Sequence, residues 1–109
     1  MAFDEKLAER VRGVLKRRRG ISEKRMFGGL AFLVNGHMAC GIIGDDLIVR
    51  VGPEAYEAAL RKPGARPMDF TGRAMKGMVY VGPRSTQRAT SLKTWLERGL
   101  SYARSLPPN

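Results

Sequence analysis

The chain has 109 residues, which is the usual size of one domain. Hydrophobic residues make up 43% of it, a proportion that excludes a disordered chain and is sufficient for one core. Twenty Lys and Arg residues against ten Asp and Glu give a formal net charge of +10, which favours nucleic acid, an anionic membrane surface or an acidic protein as partner. The single cysteine, Cys40, excludes an intrachain disulfide framework.

The amino-terminal segment lacks the pattern of a secretory signal peptide, because Asp4, Glu5 and Lys6 interrupt it before any apolar stretch develops. The longest apolar runs, 30–34 and 38–43, are far shorter than the roughly 20 residues that cross a bilayer. We therefore expect a single cytoplasmic domain over residues 1–109.

A helix is predicted from residue 4 to about residue 18. Asp4 is a suitable N-cap, and apolar residues follow at helical spacing from Leu7 to Leu15. Gly20 is a natural stop signal after the cationic end of this segment.

Three strands are predicted next, as an antiparallel meander. The apolar runs 30–34 and 37–43 are joined by Asn35-Gly36, the strongest short-range hairpin signal. Gly44 and two aspartates then turn the chain into a third run at 47–51. Gly28-Gly29 is expected to permit a bend where the chain enters the meander.

The second half of the chain adds two helices and two strands. Pro53 opens a short helix that ends before Pro63, and a final amphipathic helix spans about 90–105. Strands are predicted around 68–70 and at 78–81, with an irregular loop between them. The element order α-β-β-β-α-β-β-α predicts an α+β fold of two layers, in which helices cover one face of a five-stranded antiparallel sheet.

The sequence offers no catalytic constellation, so we expect no enzymatic activity and no metal or cofactor. If Val34 pairs with His37 and Phe32 with Ala39, then His37 and Cys40 lie on opposite faces of the sheet and form no nucleophilic pair. One Cys and one His are too few for a structural zinc site. The paired glycines lack the spacing of a phosphate-binding loop.

Two groups of basic residues are candidates for phosphate contacts. One group ends the first helix and the other lies in and before the predicted irregular loop. In chain order the residues are Arg17, Arg18, Arg19, Arg61, Lys62, Arg66, Arg73 and Lys76. They either keep a surface solvated or bind nucleic acid without reading its sequence, since no recognition helix or stacking aromatic accompanies them.

The meander strands are apolar on both faces, whereas helices cover only one face of a two-layer fold. Leu33 and Met38 are therefore the predicted centre of a partner interface, with Arg50 at its margin. The partner is either another protein or a second copy of the chain, which makes a homodimer possible. The alternative is that the methionine-rich loop folds over this face and buries it.

Several motifs along the chain resemble the N-terminal domain of the TfoX/Sxy family of competence regulators. They are MFGGLAF at 26–32, Asn35-Gly36, the strand 47–52, PMDF at 67–70, MKGM at 75–78 and the ending at 96–107. The resemblance implies a two-layer fold of the secretion-chaperone type. It also implies a part in switching on DNA-uptake genes alongside the catabolite activator protein, through protein partnership and without catalysis.

Full-length members of that family carry a second domain, and this chain resembles the single-domain members. Two functional hypotheses follow from the sequence. The first is a regulatory adaptor that binds a protein partner, from the transcription machinery or a second copy of itself. The alternative is a weakly specific nucleic-acid-binding protein that uses the basic groups.

Overall fold

Helices cover one face of a six-stranded antiparallel sheet. The computed structural model describes residues 3–69, 72 and 75–107. In chain order the elements are α1 (Glu5–Leu15), β1 (Ile21–Met26), β2 (Gly29–Val34), β3 (His37–Ile43), β4 (Asp46–Arg50), α2 (Tyr56–Leu60), β5 (Ala65–Pro67), β6 (Met78–Val81), α3 (Pro83–Thr86) and α4 (Ala89–Ser105). The strands lie in the order β1-β2-β3-β4-β6-β5. Within the described ranges, no helix combines the length and the apolar character needed to cross a bilayer.

The α+β class is confirmed, but the prediction of five strands is wrong because β1 was missed. Its residues are nearly all polar and exposed, so they show no apolar alternation. β1 pairs with β2 through a two-residue turn at Phe27 and Gly28, both of which have positive φ (47° and 78°). Gly28 therefore closes a hairpin, rather than only permitting a bend into the meander.

The strand predicted around 68–70 is also misplaced. β5 lies at Ala65–Pro67 and pairs with β6, whereas Met68 is buried in the loop that follows. Phe70 lies outside the described residues. The single turn of α3 was not predicted either. α3 begins with Pro83. A proline after a strand fits the end of that strand as well as the first turn of a helix, so the sequence does not distinguish the two.

The ends of α1 follow from its sequence. The Asp4 carboxylate accepts hydrogen bonds from the backbone N–H groups of Lys6 and Leu7, at 2.9 and 3.3 Å, which confirms the predicted cap. The helix ends at Leu15, earlier than predicted, and its apolar stripe is buried against the sheet. This stripe fixes α1 on the same side of the sheet as α4.

The main core lies between the helices and the sheet. The predicted stripe of α4, which includes Leu92, Trp95 and Leu96, is buried there together with alternate residues of β2, β3 and β4. Gly99 allows α4 to approach the backbone of β3, because a Cβ at this position would lie only 3.1 Å from the carbonyl carbon of Ala39. Leu47 and Val49 of β4 face this core, whereas Ile48 between them faces the other side.

The β2–β3 hairpin has the predicted turn but not the predicted register. Val34 pairs with His37, as expected, but Phe32 pairs with Cys40 because Ala39 forms a bulge. The extra residue brings Cys40 to the helix side of the sheet, the side that His37 also faces. The prediction that these two side chains lie on opposite faces is therefore wrong.

Each edge of the sheet is protected against further pairing. β1 is the edge at one side and carries Glu23, Lys24 and Arg25 in succession. β5 is the opposite edge, has three residues and ends in Pro67. Charges, short length and proline are the usual means by which native sheets avoid edge-to-edge aggregation.

Candidate functional site

The sheet face opposite the helices, which we call the outer face, carries a second apolar cluster. Ile48 is fully buried at its centre, together with Met68 and Tyr80. The backbone N–H of Met75 donates to the carbonyl of Met68 at 2.9 Å, which joins two described residues of the β5–β6 loop. Met68, the first residue after β5, thus covers part of the outer face, which agrees in part with the alternative that the methionine-rich loop buries this face.

Leu33 and Met38, the predicted centre of a partner interface, are brought together by the structure. They are directly paired between β2 and β3, and each is only half-buried. Gly41 on the same strand leaves room for neighbouring side chains, since a Cβ there would lie 3.0 Å from the Met38 methyl and 3.2 Å from the Phe27 ring. The outer face therefore stays partly exposed at these two residues.

Arg50, the predicted margin of that interface, contacts α4. Its guanidinium lies over the Tyr102 ring of α4, 5.4 Å from the ring centroid. This cation–π contact draws the Arg50 side chain towards the helix layer. The structure therefore places the Arg50 guanidinium beside α4, while its backbone lies on β4, the strand next to that of Met38.

Methionine is concentrated on the outer face and its covering loop. Of the six methionines in the chain, five are described there: Met26, Met38, Met68, Met75 and Met78. Met26 and Met75 are 39% and 40% exposed, and they are the large hydrophobic side chains that the described part of the chain leaves open to solvent. Neither was predicted as an interface residue. Met26 lies next to the Gly28-Gly29 segment in the sequence and Met75 lies in the predicted loop. These positions were the sequence signal that could have indicated them as interface residues.

The first basic group, Arg17 to Arg19, lies between α1 and β1. Arg18 donates two hydrogen bonds to Glu97 of α4, at 2.8 and 2.6 Å, and this pairing holds the pKa of the Glu97 carboxyl below its usual value. The carbonyl of Arg19 accepts a bond from Arg104. Only the exposed side chains of Arg17 and Arg19 are thus available to a ligand.

The second basic group is distributed around α2, β5 and the loop. Arg66 is engaged by Asp46, at 3.2 and 2.6 Å, and by the Tyr80 ring, 4.9 Å from its centroid. Arg61, Lys62 and Lys76 are exposed. Arg73 lies outside the described residues.

The two basic groups begin at opposite edges of the sheet. The first leads directly into β1 and the second contains β5, which are opposite edges of the sheet. Neighbouring strands are about 4.8 Å apart, so the two edges of six strands are separated by roughly 24 Å. Arg66 of β5 is therefore far from the residues that lead into β1, whereas Lys62 lies closer to the first group, because it lines a groove together with Glu97, the partner of Arg18. Lys62 also lies near Arg84, Arg88 and Arg98, which were not predicted as a group because they are scattered along the carboxyl-terminal third.

Cys40 is unsuited to nucleophilic chemistry. Its side chain is completely buried, and burial raises the pKa of the thiol to about 12. The imidazole of His37 contacts the carbonyl of Pro107 at 2.5 Å. Over residues 3–69, 72 and 75–107 there is no group of three His, Cys, Asp or Glu side chains able to hold a metal ion.

Comparison with known proteins identifies the family. The family model described as the TfoX N-terminal domain matches residues 14–103, a range that runs from α1 to the last turns of α4. No curated protein and no solved structure matches the chain, so its likeness to secretion chaperones remains a prediction. The matched range includes all six strands, α2, α3 and most of α4, whereas most of α1 precedes it. The chain belongs to the TfoX N-terminal domain family.

Proposed function

We propose that this TfoX N-terminal domain is a non-catalytic, cytoplasmic regulatory adaptor that binds a protein partner through the outer face of its sheet. The observation that carries the proposal is the methionine-rich apolar surface around Leu33 and Met38. Met68 covers part of this face, and Met26 and Met75 are left about two-fifths exposed.

The chemistry of this surface suits protein recognition. Methionine side chains are flexible and polarisable, so they adapt to differently shaped apolar partners. Clustered apolar side chains on an exposed surface mark an interaction site more often than isolated ones do. A partner that covers Leu33, Met38 and Met75 removes their remaining apolar area from water, which supplies binding free energy.

The partner we propose is a protein of the transcription machinery. The family resemblance implies action alongside the catabolite activator protein in switching on DNA-uptake genes. A second copy of the chain is the competing occupant of the same face. Both partners would use apolar contacts, and the two are distinguished by whether the chain associates with itself.

The test measures binding of the purified chain to immobilised catabolite activator protein by biolayer interferometry, with light scattering to follow self-association. Met26→Glu and Met75→Glu place a charge at exposed positions of the outer face, so the fold should tolerate them. Gln87→Glu adds the same charge at an exposed site next to α4. We expect each methionine variant to weaken association at least about tenfold, because a buried unpaired charge is costly, and Gln87→Glu to have no effect.

Leu33→Glu and Met38→Glu extend the same test to the half-buried centre of the face, with circular dichroism as the check on folding. Loss of self-association in these variants would identify a second copy as the partner. Unchanged association in all four variants would contradict the proposal, as would the absence of any association with either partner.

The alternative function, weakly specific nucleic-acid binding, is supported by the net charge of +10 and by the exposed side chains of Arg17 and Arg19. Fluorescence anisotropy with a short labelled duplex tests it. As salt rises from about 50 to about 200 mM, direct binding should weaken by roughly tenfold for every two phosphates that the protein neutralises. The double change Arg17→Glu and Arg19→Glu should weaken it as well, whereas the methionine variants should leave it unchanged.

A further inference from the structure

A second candidate site lies on the helix side, far from the outer face. A cleft of about 430 Å³ is formed where the turn after α2 meets α3 and the first half of α4. Four cationic side chains from these separate elements converge on it: Lys62, Arg84, Arg88 and Arg98. Hydroxyl groups of Thr90 and Ser91 contribute to the same lining.

Among the described residues that line the cleft there is no carboxylate to compensate its charge. Arg12, Arg18 and Arg66 each pair with Glu or Asp elsewhere in the molecule. By contrast, none of the four cleft cations lies within ion-pair distance of a carboxylate in the described part of the chain, and no acidic residue lines the cleft. Like charges that converge on a concave surface raise the local concentration of anions, and a bound anion relieves their mutual repulsion.

One of the four cations is held in place by packing. The guanidinium of Arg98 lies over the ring of the buried Trp95, 4.6 Å from its centroid. This contact orients the planar guanidinium without using its N–H donors, which remain available to a ligand. Arg84 lies in α3, and Arg88 is the residue before α4. Both side chains are exposed and can reach an anion bound in the cleft.

An apolar groove continues directly from the cationic cleft. Lys62, Thr94 and Arg98 line both cavities, and the groove extends between α2 and α4 with a volume of about 780 Å³. Ala55, which precedes α2, Ala58 of α2 and Tyr102 of α4 line it. This volume falls in the range of small-molecule pockets, about 300–1,000 Å³. Two carboxylates line the groove: Glu97, which is paired with Arg18, and Glu54, which is exposed.

We propose that the cleft and groove together bind a small phosphate monoester that carries an apolar or aromatic body. The phosphate lies among Arg84, Arg88 and Lys62, and the body lies between Ala58 and Tyr102. A phosphate monoester matches the site better than a carboxylate does, because it carries a charge of about −1.5 to −2 at pH 7 and offers three acceptor oxygens to several donors. This function is separate from partner binding on the outer face.

The site has its own reporter, because Trp95 is the single tryptophan of the chain and lines the cleft. The experiment follows its fluorescence while the full chain is titrated with three probes: adenosine monophosphate, hexyl phosphate and inorganic phosphate. Adenosine monophosphate and hexyl phosphate represent nucleotide and lipid sources of the same chemistry. We expect at least one of the two to bind saturably, and to bind at least about tenfold more tightly than inorganic phosphate, since only they fill the groove.

Three variants locate the binding. Arg84→Ala with Arg88→Ala should weaken the esters at least about tenfold, because two charged hydrogen-bond donors are removed. Arg17→Ala with Arg19→Ala removes the same charge from exposed positions outside the cleft and should change affinity less than about twofold. Ala58→Leu fills the groove from an exposed position, so it should weaken ester binding and leave inorganic phosphate unaffected.

Several results would overturn the proposal. They are no saturable response to either ester, equal effects of the two arginine double variants, or an Ala58→Leu variant that binds the esters normally. A response to a short DNA duplex in the absence of any response to the esters would also overturn it, and would identify the cleft as part of a nucleic-acid surface. None of these results bears on outer-face binding, which the methionine variants test independently.

Discussion

Gly99 lies in the middle of α4 and faces the backbone of β3, so its replacement by alanine tests how closely the helix layer sits on the sheet. A Cβ at this position would overlap the carbonyl oxygen of Ala39 and lie 3.1 Å from its carbonyl carbon and 3.4 Å from Val49 Cγ1. The obstacle is backbone and cannot rotate away. The helix would have to move outward, which would loosen its packing on β3 and β4.

The magnitude follows from two opposing contributions. Overpacking against a fixed core typically costs about 1–3 kcal/mol, and the backbone obstacle puts this case near the upper end. Alanine gains about 1 kcal/mol of helix propensity over glycine. We therefore expect Gly99→Ala to lower the free energy of unfolding by about 2 kcal/mol, and the midpoint of thermal unfolding by roughly 10 °C.

Gly13 of α1 is the matched control, because it is also a helical glycine but has nothing within 4 Å of the position of an added Cβ. Gly13→Ala should raise the free energy of unfolding by about 0.5–1 kcal/mol. Thermal and urea unfolding of both variants, followed by circular dichroism, give the comparison. A Gly99→Ala variant as stable as Gly13→Ala would refute the close approach of α4 to β3.

Two further predictions concern ionisable groups. Alkylation of Cys40 at pH 8 should be at least about a thousandfold slower in the native protein than in urea, because burial raises the pKa of the thiol from 9.0 to about 12. Rapid alkylation of the native protein would contradict the burial of Cys40. Arg12 and Arg18 lower the folded-state pKa values of Glu23 and Glu97 from the ordinary value of 4.5, so their stabilising effect is present above that pH and lost as pH falls through the lowered values. The urea midpoint of unfolding should therefore decrease between pH 6 and pH 3. The double variant Arg12→Ala with Arg18→Ala should show a smaller decrease. If the double variant has the same pH dependence as the unmodified chain, these ion pairs are not its cause.

Local signals in the sequence were sufficient for much of the fold. Asp4 before an apolar helical stripe predicted the cap of α1, and Asn35-Gly36 predicted the β2–β3 hairpin. These features depend on residues close together in the chain, where the physical cause is local. The apolar character of both faces of the meander likewise led to Leu33 and Met38, which the structure places side by side.

Features that depend on distant residues were missed. β1 has an exposed, charged sequence and becomes a strand because β2 offers it an edge to pair with. The bulge at Ala39 has no marker in the sequence, although it determines which face Cys40 occupies. The cationic cleft was missed for the same reason, since only the packing of α3 and α4 against the turn after α2 brings Lys62 near Arg84 and Arg88.

Binding of a protein partner by the outer face is the central claim. Methyl NMR of the chain labelled with ¹³C at its methionine methyl groups tests it most directly, because five of the six reporters are on that face or its covering loop. On addition of catabolite activator protein, or on raising the concentration of the chain itself, we predict that the signals of Met26, Met38 and Met75 shift or broaden. Association that leaves these three signals unchanged would contradict the claim.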